Sequence, residues 1–334
     1  MEGNDFEIPA IHLNYIRAWH KALAEENREN SRLLPHNEAE LQAYLKEKNV
    51  ELAAGNEVSA QLQIKAQKSH RISDKLIGIF FEDISRAADG GLCAELLQNG
   101  DFEYNGERKG WNAITAWQGL TSTSVVSSEN GVSQNNPHYA ILGETPIYNI
   151  GWEGITVKRA AYDVSLYARC MDGKKKQLTM ALVDAEDQIV AQAKLKVQGG
   201  EWNEYKTQLV ISDKYKGELG KNIRFAVIPK GKDRVAVDML SLMPQDTYKG
   251  HGLRKDLAEV IADLKPRFVR FPGGCMLHGQ GLENIYHWKE SVGPLKDRKP
   301  AKNIWNYHQT RKLGFYEYFQ WCEDMGAEPL PVLA

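Results

Sequence analysis

The sequence predicts an α/β protein that carries an inserted β-sandwich and a helical N-terminal extension. Two observations predict this fold. Short strands of alternating apolar and polar residues fill residues 104–245 with no helical periodicity between them, which is typical of a sandwich. After that stretch, buried strands alternate with amphipathic helices, as in a (β/α)8 barrel. We therefore expect an incomplete TIM barrel of about three strands, interrupted by the sandwich.

The N-terminal extension, residues 1–57, is predicted to be helical. Apolar side chains at Leu13, Ile16 and Trp19 recur at helical spacing. Asn37 is placed to cap a second helix. The aromatic stripe could bind a partner, but a small packed helical hairpin is the favoured interpretation.

The next three segments follow from changes in periodicity. Residues 58–103 are expected to hold a leading strand at 58–64, where apolar residues alternate, and then the first barrel strand. That barrel strand, residues 76–81, is a continuous apolar run, as expected of a strand buried on both faces. Residues 104–245 form the predicted sandwich. Residues 246–334 are predicted to continue the barrel to about its third strand.

The continuation of the barrel begins with an amphipathic helix over residues 253–264. A strand at 267–271 follows. A second helix over 313–325 is closed by Gly326, because glycine is favoured at the residue that ends a helix. Residues 329–333 are predicted to start a further buried strand.

Composition excludes several classes of protein. The chain has 334 residues and a net charge of −2, so it lacks the basic surface expected of a nucleic-acid-binding protein. No apolar run is long enough to cross a membrane, and the acidic N-terminus does not read as a secretory signal, so the default expectation is a cytoplasmic location. Cys93, Cys170, Cys275 and Cys322 lack metal-binding spacing and are expected to be free thiols. No metal or cofactor is expected.

The most informative motif is residues 268–274, Phe-Val-Arg-Phe-Pro-Gly-Gly. A short apolar strand delivers Arg270 to its carboxyl end, and the glycine pair then turns the backbone. A second strand ends in the same way at Glu82. Because functional side chains of a barrel lie at the carboxyl ends of its strands, we expect Glu82 and Arg270 to share one pocket. A guanidinium there can grip a hydroxyl or a carboxylate.

These motifs, in this order, resemble those of the family 51 glycoside hydrolases, the α-L-arabinofuranosidases. The resemblance runs from about Val58 to Ala334 and includes further motifs at residues 88–92, Trp288, Gly293-Pro294 and residues 313–318. It implies a retaining enzyme that releases arabinofuranosyl residues from arabinose-containing plant polysaccharides or oligosaccharides. It also implies an inserted jelly-roll sandwich similar to carbohydrate-binding modules. The complete protein could be a homo-oligomer.

The resemblance assigns roles to three residues. It implies that Glu82 and Arg270 contact the arabinose. Family members often have asparagine directly after the glycine pair, where this chain has Cys275, which we assign to the same sugar site. Structural roles are the alternatives: a salt bridge or a cap at the strand end for Glu82, and a strut beneath the site for Arg270.

The chain is not expected to contain the catalytic residues. A retaining glycosidase needs two carboxyls about 5 Å apart, and neighbours on one strand, such as Glu82 and Asp83, point to opposite faces. The resemblance implies an acid/base glutamate in an Asn-Glu pair after the fourth barrel strand, and a nucleophilic glutamate after the seventh. The Asn-Glu pairs here precede the barrel or lie in the sandwich: Asn37-Glu38, Asn56-Glu57 and Asn203-Glu204. We expect an N-terminal part of the enzyme that is inactive alone.

A second hypothesis is a non-catalytic protein that binds carbohydrate through the sandwich. Tryptophan faces suit sugar C–H surfaces, although a tryptophan in a β-sandwich more often belongs to the core. The candidates are Trp111, Trp117, Trp152 and Trp202. Trp152 is preferred because its glycine-flanked loop is expected at the surface. Three aspartates could join a calcium site: Asp184, Asp187 and Asp238. The favoured interpretation is that they are isolated aspartates in turns.

Overall fold

A computed structural model describes residues 71–106, 110–127, 130–220, 222–232 and 234–334, with Ala39, Ala43 and Lys46 in helical conformation. The chain divides into two compact units, residues 1–70 and 71–334. Most of the predicted N-terminal helices, and the strand at residues 58–64, lie outside the described residues. Within the described part, no helix is both long and apolar enough to cross a membrane.

The described strands and helices follow one another along the second unit. The strands are β1 (Ile79–Phe80), β2 (Trp117–Gln118), β3 (Val125–Ser127), β4 (His138–Leu142), β5 (Ile147–Asn149), β6 (Ala161–Cys170), β7 (Lys176–Val183), β8 (Ile189–Val197), β9 (Asn203–Val210), β10 (Arg224–Pro229), β11 (Val235–Pro244), β12 (Thr247–Tyr248), β13 (Leu253–Arg254), β14 (Phe268–Phe271), β15 (Ala301–Lys302), β16 (His308–Gln309) and β17 (Glu328–Pro331). The α-helices are α1 (Lys255–Asp263), α2 (Gly274–His278) and α3 (Phe315–Met325). Shorter helical turns cover Ala88–Leu92, Trp288–Ser291 and Leu295–Asp297.

Strands β2 to β11 form the sandwich. One five-stranded sheet has the order β2-β5-β10-β7-β8, and the other has the order β3-β4-β11-β6-β9. The strands pair antiparallel within both sheets. Alternation explains the packing: along β6, Tyr162, Val164 and Leu166 are buried, as their spacing predicts.

The core of the sandwich lies between its two sheets. Leu166 comes from one sheet and Leu178 and Phe225 from the other, and all three side chains are completely buried in one apolar cluster. Burial of each such side chain contributes roughly 1.5–3 kcal/mol. The sandwich therefore has a large core built from both of its sheets.

Strands β1, β14 and β17 form a parallel sheet in chain order. The first strand is shorter than predicted, and the expectation that it is buried on both faces is wrong. Leu76 and Ile77 are 64% and 72% exposed, and Phe80 is also exposed. Because β14 is the only strand paired with β1 among the described residues, the apolar run lacks the cover that its sequence suggests.

Of the two longer helices next to this sheet, α3 agrees with its prediction and α1 differs from it. The α3 helix ends at Gly326, which has the left-handed conformation expected of a glycine C-cap, and buries Tyr318 and Cys322. The α1 helix begins two residues later than predicted. Its spacing predicts a buried face that includes Val260 and Leu264, but both are about two-thirds exposed, at 65% and 66%.

Candidate functional site

The strand ends bring Glu82 and Arg270 to one place. In the parallel pairing, Phe80 lies opposite Arg270, and the Phe81 amide donates to the Arg270 carbonyl oxygen at 2.8 Å. Glu82 therefore follows the last paired residue of β1, at the same carboxyl end of the sheet as Arg270. Parallel pairing explains this proximity, since neighbouring parallel strands end at the same edge.

The glycine pair after β14 lies between these two side chains. Gly273 has a φ of 106°, and a Cβ added there would collide with the Glu82 carboxyl group. A Cβ on Gly274 would lie 3.5 Å from an Arg270 guanidinium nitrogen. The missing side chains therefore leave room for a carboxylate and a guanidinium beside the same turn. Because φ is positive at Gly273, any other residue would also strain the backbone there.

Glu82 and Arg270 retain capacity for a ligand. Glu82 Oε1 accepts a hydrogen bond from the Met276 amide at 2.8 Å, within the first turn of α2. Glu82 thus has a structural role in capping this amide, but a carboxylate has further acceptor positions. Arg270 makes no ion pair with any described residue, and its guanidinium carbon lies 6.0 Å from the centre of the Phe80 ring. Both side chains are only partly buried.

Cys275 follows the glycine pair directly and lies in α2. It is the exposed member of the four free cysteines, whereas Cys93, Cys170 and Cys322 are buried. Burial raises the pKa of the Cys93 and Cys322 thiols to about 12, which leaves them protonated and unreactive at neutral pH. The free thiols expected from the sequence are therefore present, and Cys275 is the one beside the candidate site.

Asp83 lies apart from Glu82, on the buried side of the chain. Its carboxylate accepts hydrogen bonds from the Ala88 amide at 2.9 Å and from Gln309 Nε2 at 2.5 Å. Burial, followed by repulsion from Asp89, raises the pKa of Asp83 to about 7. The two neighbouring carboxyls therefore do not form a catalytic pair, as strand alternation predicts, and Asp83 holds the loop in place.

A polar network, which the sequence did not predict, orders the long connection between β14 and α3. Arg298 makes two hydrogen bonds to the Glu317 carboxylate, at 2.7 and 2.8 Å, and is almost fully buried. Arg311 pairs with Glu290 at 2.7 Å. The partners lie about 20 residues apart in a segment without periodicity, so their pairing has no local sequence signal. This network fixes loops at the same end of the sheet as Glu82.

Trp152 is half-buried rather than exposed, which corrects the expectation from its glycine-rich loop. A Cβ on Gly90 would lie 2.6 Å from the Trp152 ring, so the indole packs directly on that glycine. The guanidinium of Arg86 lies 5.8 Å from the ring centre. The ring faces are thus in contact with protein, and Trp152 does not offer a free stacking platform.

The other three tryptophans of the sandwich region also have protein partners. Trp117 is buried in the core, and its indole N–H donates to the Asn99 carbonyl oxygen at 2.8 Å. Trp111 stacks on Tyr104 with 4.7 Å between ring centres. The Trp202 indole N–H donates to a backbone carbonyl at 2.7 Å. These contacts favour structural roles for all three.

The three aspartates considered for calcium have ordinary structural contacts. Asp184 accepts two backbone amides of its own turn and the Tyr215 hydroxyl, and Asp187 pairs with Arg224. Asp238 is completely buried, and burial raises its pKa well above its usual value. Within the described residues, no group of three His, Cys, Asp or Glu side chains is placed to hold a metal ion.

Comparisons with known proteins cover most of the chain. Residues 260–334 match the family described as the α-L-arabinofuranosidase 1 domain. The chain is 40% identical over 285 residues to an extracellular exo-α-L-arabinofuranosidase of Streptomyces chartreusis and 32% identical over 291 residues to α-L-arabinofuranosidase 1 of Arabidopsis thaliana. It also matches the solved structure of an arabinose-bound GH51 α-L-arabinofuranosidase with 30% identity and a TM-score of 0.71.

The matches cover most of this chain but less of each relative. They span 80% of the chain and 33% of the Streptomyces protein, 82% and 42% for the Arabidopsis protein, and 80% and 45% for the solved structure. The chain thus spans between a third and a half of the length of these relatives. The resemblance to the family 51 α-L-arabinofuranosidases, inferred from the motifs, is confirmed.

Proposed function

We propose that this chain is the N-terminal part of a retaining α-L-arabinofuranosidase and that Glu82 and Arg270 line its arabinose pocket. One observation carries the proposal: two neighbouring parallel strands place a carboxylate and a guanidinium beside the same glycine turn. The similarity to proteins named as arabinofuranosidases gives the sugar class. The expected substrates are arabinose-containing polysaccharides or oligosaccharides.

The parallel sheet is, in this proposal, the start of a (β/α)8 barrel. Its strands occur in chain order, and α3 connects β14 to β17, as in a barrel wall. The proposed parts are residues 1–57 as the N-terminal extension, 58–103 with the leading strand and first barrel strand, 104–245 as the inserted jelly roll, and 246–334 as the barrel continuation. The cytoplasmic location and the homo-oligomeric state of the complete protein are still predictions from the sequence.

The two side chains are suited to different sugar contacts. The Glu82 carboxylate can accept hydrogen bonds from sugar hydroxyls, and the Arg270 guanidinium can donate to sugar oxygens. Charge-assisted bonds of this kind are stronger than neutral ones. Cys275 would line the same pocket, and Trp152 would stand farther out, at the junction with the sandwich.

Bond cleavage is a separate requirement that the described strand ends do not meet. Retention needs a nucleophile and an acid/base about 5 Å apart. Asp83, the neighbour of Glu82, is buried and committed to Ala88 and Gln309. We expect the 334-residue chain to bind arabinose but to release no phenol from an aryl α-L-arabinofuranoside. Measured turnover that Glu82→Ala abolishes would contradict this expectation.

Titration calorimetry of the chain with L-arabinose tests the proposal. Glu82→Gln should weaken binding about tenfold or more, because it removes a charge-assisted acceptor while preserving the shape of the side chain. Glu323→Gln, an identical change at an exposed position of α3, is the matched control and should bind as the unmodified chain does. Equal affinity of the unmodified protein and Glu82→Gln would contradict the proposed pocket.

The alternative is carbohydrate binding by the sandwich without catalysis. The observation that favours a sandwich contribution is that Trp152 borders two cavities at the junction between the sandwich and the α/β region. Loss of retardation on arabinoxylan in Trp152→Ala, with Glu82→Gln still retarded, would support this alternative.

A further inference from the structure

The loop that follows Glu82 has an unfavourable backbone conformation. It contains a tight turn in which the Ala87 amide donates to the Ile84 carbonyl oxygen at 3.1 Å. The two central residues of this turn, Ser85 and Arg86, both have positive φ, 55° and 63°. Turns of this type favour glycine, asparagine or aspartate at both positions, and other residues there are strained. The loop therefore depends on contacts from elsewhere in the chain to keep its shape.

The connection that precedes α3 supplies these contacts. The hydroxyl of Tyr307, the residue before β16, donates to the Asp83 carbonyl oxygen at 2.5 Å and accepts from the Arg86 amide at 3.0 Å. Just after β16, the amide and hydroxyl of Thr310 donate to the Asp89 carboxylate at 2.7 and 2.9 Å. The connection therefore holds the loop at two places, one of which is directly next to Glu82.

Gln309 contacts both the residue after Glu82 and the residue that binds its carboxylate. Its Nε2 donates to the Asp83 carboxylate at 2.5 Å and lies 3.2 Å from the sulfur of Met276, whose amide donates to Glu82. Gln309 is 3% exposed and Tyr307 is 5% exposed. Because water cannot replace their hydrogen bonds, loss of either polar group would leave buried partners unpaired.

We propose that Tyr307 and Gln309 are positioning residues, which hold the loop after β1 so that the Glu82 carboxylate is fixed at the arabinose pocket before the sugar binds. Both act through Glu82 and neither contacts the sugar. The effect on sugar binding rests on the proposed function, whereas the hold on Glu82 does not. A carboxylate that is already fixed loses less conformational freedom when it binds a ligand, so the affinity is higher.

Hydrogen exchange of the Met276 amide tests the hold on Glu82 without any sugar, because this amide is bonded to the Glu82 carboxylate. In the full 334-residue chain, Tyr307→Phe removes only the hydroxyl and should speed exchange of the Met276 amide about fivefold. The Tyr318 amide, within α3, should exchange at an unchanged rate. Tyr316→Phe, the same change at a position that is 62% exposed, is the matched control and should leave the Met276 amide protected.

Calorimetry with L-arabinose separates positioning from a general effect on the fold. Tyr307→Phe should weaken binding about three- to tenfold in the unmodified chain and should cause no further loss in a Glu82→Ala chain, because residues that act through one another are not additive. Gln309→Met keeps the size of the side chain but removes the donor, and it should act in the same way. It replaces Tyr307→Phe if that variant does not fold, which thermal unfolding checks.

The outcomes separate this proposal from the proposed function. Unchanged exchange of the Met276 amide in Tyr307→Phe and Gln309→Met would overturn the positioning role, whatever the sugar affinity. An equal loss of affinity with and without the Glu82 side chain would also overturn it, since such a loss reports a general structural effect. If the unmodified chain binds no arabinose, the proposed function fails, but faster exchange of the Met276 amide would still support the hold on Glu82.

Discussion

The sandwich and the parallel sheet bury their apolar side chains to different extents. In the sandwich, two sheets cover each other, and side chains such as Leu166 and Phe225 are completely buried. Around the parallel sheet, large apolar side chains remain exposed, among them Phe80, Val260 and Leu330. The α/β region has a smaller buried apolar cluster of its own, and it also holds its loops with buried polar pairs. The comparison indicates that apolar packing stabilises both regions, whereas hydrogen-bonded charges additionally order the loops around the candidate site.

The largest effect should come from the sandwich core. Phe225→Ala removes a completely buried ring and should lower the free energy of unfolding by about 3–5 kcal/mol. Val260→Ala, an apolar truncation at an exposed position of α1, should change it by less than about 0.5 kcal/mol. Chemical denaturation of both variants measures the contrast. Equal losses of unfolding free energy in the two variants would contradict the difference between the two regions.

A smaller loss of stability is expected when a buried ion pair of the α/β region is removed. Arg298→Met removes the partner of Glu317, whose side chain is one-quarter exposed, and should cost about 2 kcal/mol because an uncompensated, partly buried carboxylate remains. Lys296→Met, next to it on an exposed ion pair, is the control and should cost less than about 1 kcal/mol. Hydrogen exchange of α3 should rise in Arg298→Met alone; protection equal to that of the unmodified protein would argue against the network.

The buried Asp83 should make this region sensitive to pH. Its pKa in the folded protein is raised to about 7, above its unfolded value near 3.8, so its stabilising contribution is complete below pH 3.8 and is lost as pH rises through 7. Between pH 5 and 7, the stability of the unmodified protein should fall by about 2 kcal/mol relative to Asp83→Asn. Denaturation at several pH values measures this difference. Asp213→Asn, at an exposed site, should show no such trend, and a parallel profile for Asp83→Asn would contradict the assignment.

The smallest effect on stability should follow from a charge on the exposed apolar face of α1. Val260→Lys should change the free energy of unfolding by less than about 0.5 kcal/mol, because Val260 is 65% exposed. It should also reduce self-association, since exposed apolar patches favour aggregation. Light scattering at increasing protein concentration measures this. A loss of several kcal/mol would show that this face is buried in solution.

Local patterns predicted much of the fold. Period-two alternation identified strands such as β6, and Gly326 marked the end of α3. The same reasoning failed at β1 and α1, where apolar periodicity indicates which residues could be buried but not whether a neighbour covers them. Leu76 and Val260 are exposed for that reason.

The site was predictable to the extent that strand ends define it. Glu82 and Arg270 could be placed together because both end apolar runs of a parallel sheet. The bond from Gln309 to Asp83 joins residues 226 positions apart, and no local pattern indicates it. Trp152 was expected to be exposed because glycines flank it, but its burial depends on Gly90, which is distant in sequence.

A double-mutant cycle on arabinose affinity tests the central claim most directly. If one sugar is held by both side chains, Glu82→Gln and Arg270→Met should each weaken L-arabinose binding about tenfold, and the double variant should lose little more than either single variant, because residues that share a ligand couple energetically. Calorimetry of the four proteins gives the result. Losses that simply multiply, or single variants that bind as tightly as the unmodified chain, would contradict a shared pocket.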